Sequence, residues 1–244
     1  MLKSDTDMGK RNDTNEVHGT RRKPSPHDYR LYFVTDSRLH KGYSVLEQVA
    51  LALEGGVKII QIREKEMVPG DYAALISAAL MLTRQHGAYL IVNDLPAIAA
   101  STGADGIHLG QDDMAVKAAR ELLGQDAIIG ISVKTPEEAV KGEKDGADYI
   151  AVNGVFPTST KRDLGYCPGL EGVTRICRST SLPVVGIGGI TLHNCRSVLE
   201  AGAQGIAVVT ALTMAEHIPT ACRNLWERLS DERQLSGSQV RKGP

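Results

Sequence analysis

From Leu31 onward one pattern recurs along the chain: a short run rich in Val and Ile, a turn, then an Ala- and Leu-rich stretch of helical character. Read on this basis, eight candidate strands fall at 31–35, 57–63, 88–92, 106–109, 127–131, 149–152, 183–187 and 205–209. The helical stretches between and after them fall at 44–54, 69–85, 96–101, 115–123, 136–144, 170–178, 192–201 and 215–229. Ser44, Thr135 and Thr191 stand where N-caps belong, and Pro136 occupies a first helical position. Three returns from helix to strand are alike: Gly103-Ala104-Asp105-Gly106, Gly146-Ala147-Asp148-Tyr149 and Gly202-Ala203-Gln204-Gly205, with Gly55-Gly56-Val57 a looser fourth. Glycine just past a helix takes up the left-handed cap without steric cost, which lets the chain re-enter a sheet sharply. A strand–helix unit of roughly 25 residues repeated eight times predicts a closed parallel sheet, a single-domain (β/α)8 TIM barrel. An open doubly wound sheet is the competing architecture, and the absence of Gly-x-Gly-x-x-Gly after a first strand counts against it.

The 244 residues, 42% hydrophobic, suffice for one such core. Residues 1–28 mix charge, Asn, Thr, Gly and Pro with almost nothing apolar, so they are expected to form a disordered tail ahead of a barrel domain at 29–230, and 231–244 a polar C-terminal tail. A net charge of −1 gives no global field for nucleic acid or anionic lipid. The longest apolar stretch, 73–82, is far short of the roughly 20 residues of a membrane span. Asp5, Asp7, Asp13 and Glu16 argue against a transit peptide, and a soluble cytoplasmic protein is expected. Cys167, Cys177, Cys195 and Cys222 are widely spaced and read as free thiols.

In a barrel of this kind the chemistry lies at the carboxyl ends of the strands. After the second strand, alternation sends Gln61, Arg63 and Lys65 to one side, where guanidinium and ammonium suit phosphate oxygens. The third strand ends in Asn93-Asp94, and the fourth runs from His108 into Asp112-Asp113. Mg²⁺ is commonly held by one or two carboxylates with substrate phosphates and waters, so Asp94 with one of the second pair suits a bound diphosphate; a turn or cap role is the competing reading for each Asp. His108 itself reads as a core or strand-end histidine rather than a ligand. Ser132 closes the fifth strand. The loop Phe156-Pro157-Thr158-Ser159-Thr160-Lys161 follows the sixth, and Gly188-Gly189 and Val209-Thr210 follow the seventh and eighth, a frequent phosphate site in such barrels.

These residues, in this order, resemble the thiamin-phosphate synthase family. The resemblance rests on Gln-Ile-Arg-Glu-Lys at 61–65, Asn93-Asp94, the run from Asp105 to Asp113, Gly130-Ile-Ser132, Phe-Pro-Thr-Ser-Thr-Lys at 156–161 and Gly186-Ile-Gly-Gly-Ile190, and spans about residues 30 to 229. It implies a transferase that joins an aminopyrimidine carrying a diphosphate to a thiazole phosphate or its carboxylate, giving thiamin phosphate and pyrophosphate. It further implies that Gln61, Arg63, Lys65, Asn93 and Lys161 bind the pyrimidine diphosphate, with Ile62 and Glu64 in the same segment. Ser132 would lie near the pyrimidine, and Asp94 and Asp113 would hold Mg²⁺. Thr158, Ser159, Thr160, Gly189, Val209 and Thr210 would meet the thiazole phosphate. Arg63, Lys65, Lys161 and Ser132 are then the expected catalytic set; the sequence does not give the oligomeric state, and the resemblance is compatible with a small homo-oligomer. Two alternatives remain: a thiazole tautomerase, whose acid/base histidine has Gly154 in its place here, and a non-catalytic barrel that binds a phosphorylated ligand. The chain departs from the synthase pattern at Asn153-Gly154, where Gly-Pro is usual, and at 162–167.

Overall fold

The computed structural model describes residues 23–158 and 166–230. Eight strands, β1 (Leu31–Val34), β2 (Ile59–Ile62), β3 (Tyr89–Asn93), β4 (Gly106–Leu109), β5 (Ile128–Val133), β6 (Tyr149–Asn153), β7 (Val184–Ile187) and β8 (Gly205–Val208), pair in sequence order into a closed barrel. All pairs are parallel, and β8 returns to β1 with Leu31 opposite Ile206. Around it run α1 (Val45–Glu54), α2 (Pro69–Gln85), α3 (Pro96–Thr102), α4 (Val116–Leu123), α5 (Pro136–Lys144), α6 (Gly169–Cys177), α7 (Cys195–Glu200), α8 (Thr210–Thr213) and α9 (Ile218–Ser230).

Strand alternation divides the interior into two cores. Ile60, Ile62, Val92, Ile107, Ile131 and Val152 face outward and pack with the helices. Tyr32, Ile59, Ile91, Tyr149, Val185 and Ala207 face into the barrel. Gly130 makes the inner core possible: a Cβ there would collide with the Tyr149 ring, which occupies the lumen above it. Tyr29, on a 3-10 turn at Asp28–Arg30, closes the amino end of the barrel, and β8 reaches it only because Gly205 has no side chain to strike the Tyr29 carbonyl. Lys23 pairs with Asp148 and His27 stacks on Trp226 at 5.4 Å, so this part of the stretch expected as tail lies against the barrel.

The repeated helix-to-strand junctions now have a second purpose besides the turn. Gly103, Gly146 and Gly202 all have positive φ (67, 96 and 107°), as left-handed caps require. The polar residue two positions on clamps the preceding strand. Asp105 accepts from Leu90 N at 2.7 Å, Asp148 from Ile129 N at 2.8 Å, and Gln204 from Val184 N at 2.7 Å. Each return thus satisfies a strand-start amide that the ladder leaves open.

Ser44 and Thr135 cap α1 and α5 in full capping boxes. Thr191 does not cap a helix. The chain first makes a turn in which Thr191 N donates to Asn194 Oδ1 at 2.7 Å, and α7 starts at Cys195 with Asn194 at its cap. The last helix likewise begins at Ile218 rather than 215, the chain after α8 making a bend over 214–217 first. Ser132 lies inside β5 rather than just past it.

Candidate active site

At the carboxyl end of the barrel the strand ends surround a cavity of about 500 Å³, within the ordinary range for a small-molecule site. Gln61, Arg63 and Lys65 all line it, as alternation from the outward-facing Ile60 and Ile62 requires. Asn93, Asp94, Asp113 and Ser132 line it from the next three strand ends. Thr158, Gly189, Val209 and Thr210 close the far side. Ser159, Thr160 and Lys161 lie outside the described residues.

Two expected residues turn away from this cavity. Ile62 is buried among the helices, and its carbonyl accepts from the Tyr72 hydroxyl at 2.6 Å. Glu64 also points off the lumen side: it accepts from Thr35 Oγ1 at 2.8 Å and from Ser37 N at 3.0 Å. Its carboxylate therefore ties the loop after β1 to the end of β2, and only the odd-numbered members of the 61–65 run present side chains to the cavity. The same period of two that places Gln61 and Arg63 excludes their neighbours.

The cations are held by carboxylates in turn. Arg63 Nη1 lies 3.5 Å from Asp36 Oδ2, and Asp36 is gripped by Arg38 through Nε and Nη2, each at 3.0 Å. Burial alone would raise the Asp36 carboxyl, but the Arg38 hydrogen bonds and charge, with Arg63 behind them, hold it below the usual carboxylate range. The Asp36–Arg38 pair escaped the sequence reading because Asp36 follows a strand end as any turn former might. Lys65 Nζ lies 3.5 Å from Asp94 Oδ2.

Asp94 has φ 60°, the one described residue other than glycine with positive φ. Its amide donates to His108 O at 2.9 Å, which anchors this backbone beside β4. An Asp tolerates that region better than most residues, and such strain concentrates at sites of function. Asp113 accepts from Gly110 N at 2.6 Å. Desolvation at the cavity mouth, and then the adjacent Asp94 carboxylate, push the Asp113 carboxyl above its ordinary value, against the Gly110 amide and Lys65. Two carboxylates brought this close at a cavity mouth form a natural seat for a divalent cation. Among the described residues no group of three or more ligating side chains comes together, so a cation here would take its remaining ligands from substrate and water.

The far side is laced together by backbone. Gly154 N and Val155 N both donate to Ile187 O, at 2.9 and 3.2 Å, and Phe156 N donates to Gly188 O at 3.0 Å. Gly189, at φ 62°, lets the turn after β7 pass so close to the Pro157 carbonyl that a Cβ would collide with it. The loop after β6 and the turn after β7 therefore form one wall. Gly154 itself has φ 80°, a conformation closed to proline, and a Cβ there would stand 3.0 Å from Cys167 Sγ.

Beneath these residues Tyr32, Tyr149 and His108 join Gln61 and Ser132 in a hydrogen-bonded series that the sequence did not suggest. Both tyrosines read there simply as apolar strand residues. The structure also places Gln111 in the wall, donating to Ser132 O at 2.6 Å, and Lys134 and Glu138 beside it.

A family described as thiamine monophosphate synthase matches residues 31–212, most of the barrel. The chain belongs to that family. Its relatives include the thiamine-phosphate synthase of Syntrophomonas wolfei, 44% identical over 204 residues that cover 82% of this chain and 98% of the relative. The chloroplastic thiamine biosynthetic bifunctional enzyme of Arabidopsis thaliana is 43% identical over 215 residues, 86% of this chain, but these span 41% of that longer enzyme. Among solved structures, a thiamine phosphate pyrophosphorylase from Pyrococcus furiosus superposes with a TM-score of 0.77 at 38% identity, covering 84% of this chain and 96% of that one. Every residue that lines the cavity, from Tyr32 to Thr210, falls within the matched stretch.

Proposed function

We propose that this chain condenses 4-amino-2-methyl-5-(diphosphooxymethyl)pyrimidine with a thiazole phosphate or its carboxylate, releasing pyrophosphate and forming thiamin phosphate. The observation that carries this reading is the convergence, in a member of the synthase family, of Arg63, Lys65, Asp94 and Asp113 on one cavity wall, facing a glycine-lined wall at Gly189 and Thr158. One wall suits a diphosphate with a cation, the other a monophosphate.

In this reading Arg63 and Lys65, with Lys161 from the loop, take up the negative charge that grows on the diphosphate as its C–O bond breaks. Asn93 and Gln61 orient the pyrimidine, and Ser132 holds its ring. The thiazole nitrogen then supplies the electron pair for the new C–N bond, and pyrophosphate leaves with the pair from the old one. Held between Asp94 and Asp113, Mg²⁺ would neutralise diphosphate charge. Thr158, Gly189, Val209 and Thr210, with Ser159 and Thr160, hold the thiazole phosphate so that its nitrogen is aligned with the methylene; positioning of this kind supplies much of the rate. No protein nucleophile is required, and burial pushes the Cys177 and Cys222 thiols up to about 11 and about 12, well away from reactive thiolates.

The tautomerase alternative asks for an acid/base side chain where this chain has Gly154, which lines the cavity with backbone alone. A non-catalytic phosphate binder has no need of the paired carboxylates. No helix among the described residues is long and apolar enough to cross a membrane. We place the enzyme in the cytoplasm as a small homo-oligomer acting on small phosphorylated substrates. The decisive assay incubates the purified protein with both substrates and Mg²⁺ and measures pyrophosphate and thiamin phosphate together. Product that depends on both substrates is expected; absence of product with either thiazole form overturns the assignment.

A further inference from the structure

Five polar side chains from five strands cross the barrel lumen in one unbroken series along the floor of the cavity. Gln61 Nε2 donates to Tyr32 Oη, Tyr32 Oη meets Tyr149 Oη, Tyr149 Oη meets His108 Nδ1, and His108 Nε2 meets Ser132 Oγ, each at 2.8 Å. Gln61, Tyr32, Tyr149 and His108 are all buried. The two ends, Gln61 and Ser132, line the cavity on β2 and β5, Tyr32 and His108 reach its floor between them, and Tyr149 lies below it. Burial pushes both tyrosine hydroxyls well above their ordinary pKa, so both carry protons at neutral pH.

A series of this kind has a direction. Each hydroxyl carries one proton and a neutral imidazole carries one N–H, so making every link without stranding a buried hydroxyl proton forces all the protons to point the same way. With the Gln61 amide donating, Tyr32 donates to Tyr149, Tyr149 to His108 Nδ1, and His108 Nε2–H to Ser132 Oγ. The Ser132 proton is then released toward the cavity. At the other end Gln61 Oε1, which accepts from no described residue, is left as an acceptor. Reversing one link strands a buried proton without an acceptor, and in a low-dielectric lumen that arrangement is costly. Reversing all of them would turn Gln61 into a donor toward the cavity and Ser132 into an acceptor.

The forward direction therefore offers one acceptor and one donor, the complement of an aminopyrimidine edge with its amino donor and ring-nitrogen acceptor. The reverse direction would complement an oxopyrimidine, whose ring N–H donates and whose carbonyl accepts. We propose that Tyr32, Tyr149 and His108 are positioning residues that lock the hydrogen-bond direction of Gln61 and Ser132, and thereby select an aminopyrimidine over its 4-oxo counterpart. The proposal rests on reading this cavity as the pyrimidine site. None of the three residues needs to touch the reacting atoms.

The test combines nitrogen NMR of the free enzyme with binding of two probes, the pyrimidine diphosphate and its 4-oxo analogue, in the absence of thiazole phosphate. His108 should be neutral with its proton on Nε2. Sites built around a fixed donor–acceptor pair discriminate strongly against the mismatched ligand, and cutting the series in Tyr149→Phe or Tyr32→Phe should reduce the amino-over-oxo preference by about tenfold or more. The KM for thiazole phosphate should stay unchanged. A purely structural role for the tyrosines would weaken both probes alike and leave their ratio intact, and two separate cuts guard against one variant failing to fold. Wild-type product formation, assayed alongside, separates the two levels of the reading. If no product forms, the function itself is wrong and this inference falls with it. If product forms but His108 carries its proton on Nδ1 or on both nitrogens, or the preference survives in both variants, the function stands and the directional series is overturned.

Discussion

Asp94 combines an uncommon backbone conformation with a charge opposite Asp113, and the two properties can be separated by substitution. Asparagine tolerates the left-handed region about as well as aspartate. Asp94→Asn should therefore leave the thermal midpoint nearly unchanged while lowering Mg²⁺-dependent turnover by about 10²-fold or more, the scale on which single electrostatic partners act in such sites. Unchanged turnover would remove Asp94 from the proposed metal seat. Asp36 offers a test of a different kind. Its folded carboxyl is depressed, so it stabilises the fold above its unfolded pKa, and that contribution is lost as pH falls through the lower folded value. Replacing Arg38 with Ala removes the main depressing partner and raises the folded value. The acid-unfolding midpoint of Arg38→Ala should then lie at higher pH than that of the wild type, as read by circular dichroism; coincident acid transitions would mean that Arg38 does not control Asp36.

At the scale of elements, the clamps at the helix-to-strand returns explain why three separated stretches share a spelling. The glycine turns the chain, the alanine packs closely, and the polar residue satisfies the first amide of the neighbouring strand. Asp105→Ala leaves Leu90 N without that acceptor, and an unsatisfied amide of this kind costs about 1–3 kcal/mol. Denaturant melts should show that loss, with activity per folded molecule retained, because Asp105 lies at the end of the barrel away from the cavity. A loss below a few tenths of a kcal/mol would show that water serves Leu90 as well. The alternation of β2 was equally legible in advance: the positions of Gln61, Arg63 and Lys65 follow from a period of two. The same rule, taken strictly, also removes Ile62 and Glu64 from the cavity, whereas family resemblance alone kept them in it. The helix start expected at Thr191 failed for a local reason, since the Thr191–Asn194 turn competes with the cap.

For the whole molecule, closure is what turns a set of strand ends into a site. Once β8 pairs with β1, residues from β2, β3, β4 and β5 stand around one lumen, and the lumen itself must be filled. Tyr149 fills it at the expense of a side chain at Gly130. Gly130→Ala should force that ring aside and destabilise the protein by about 1–3 kcal/mol, the usual range for overpacking a core. It should also raise KM for the pyrimidine diphosphate, because the displaced hydroxyl sits beneath the cavity floor. Retention of wild-type stability would mean that the ring is less tightly seated than the geometry requires.

The chain's repeated strand–helix period and its return motifs were enough to specify eight alternating strand–helix units and to favour a parallel barrel, because local propensities and turn chemistry act over a few residues and are written in order; closure itself is set by the pairing of β8 with β1. They also placed the charged and glycine-rich strand ends on a common face, since side-chain alternation in a strand is a local rule. The links from Tyr32 to Tyr149 and from His108 to Ser132 were decided only by tertiary structure. They join residues as far apart in sequence as 32 and 149, and which hydroxyl meets which nitrogen depends on barrel register and on the room left by Gly130. The strain at Asp94 and the departure of Glu64 toward Thr35 have the same origin: both depend on what a distant strand presents once the barrel has closed.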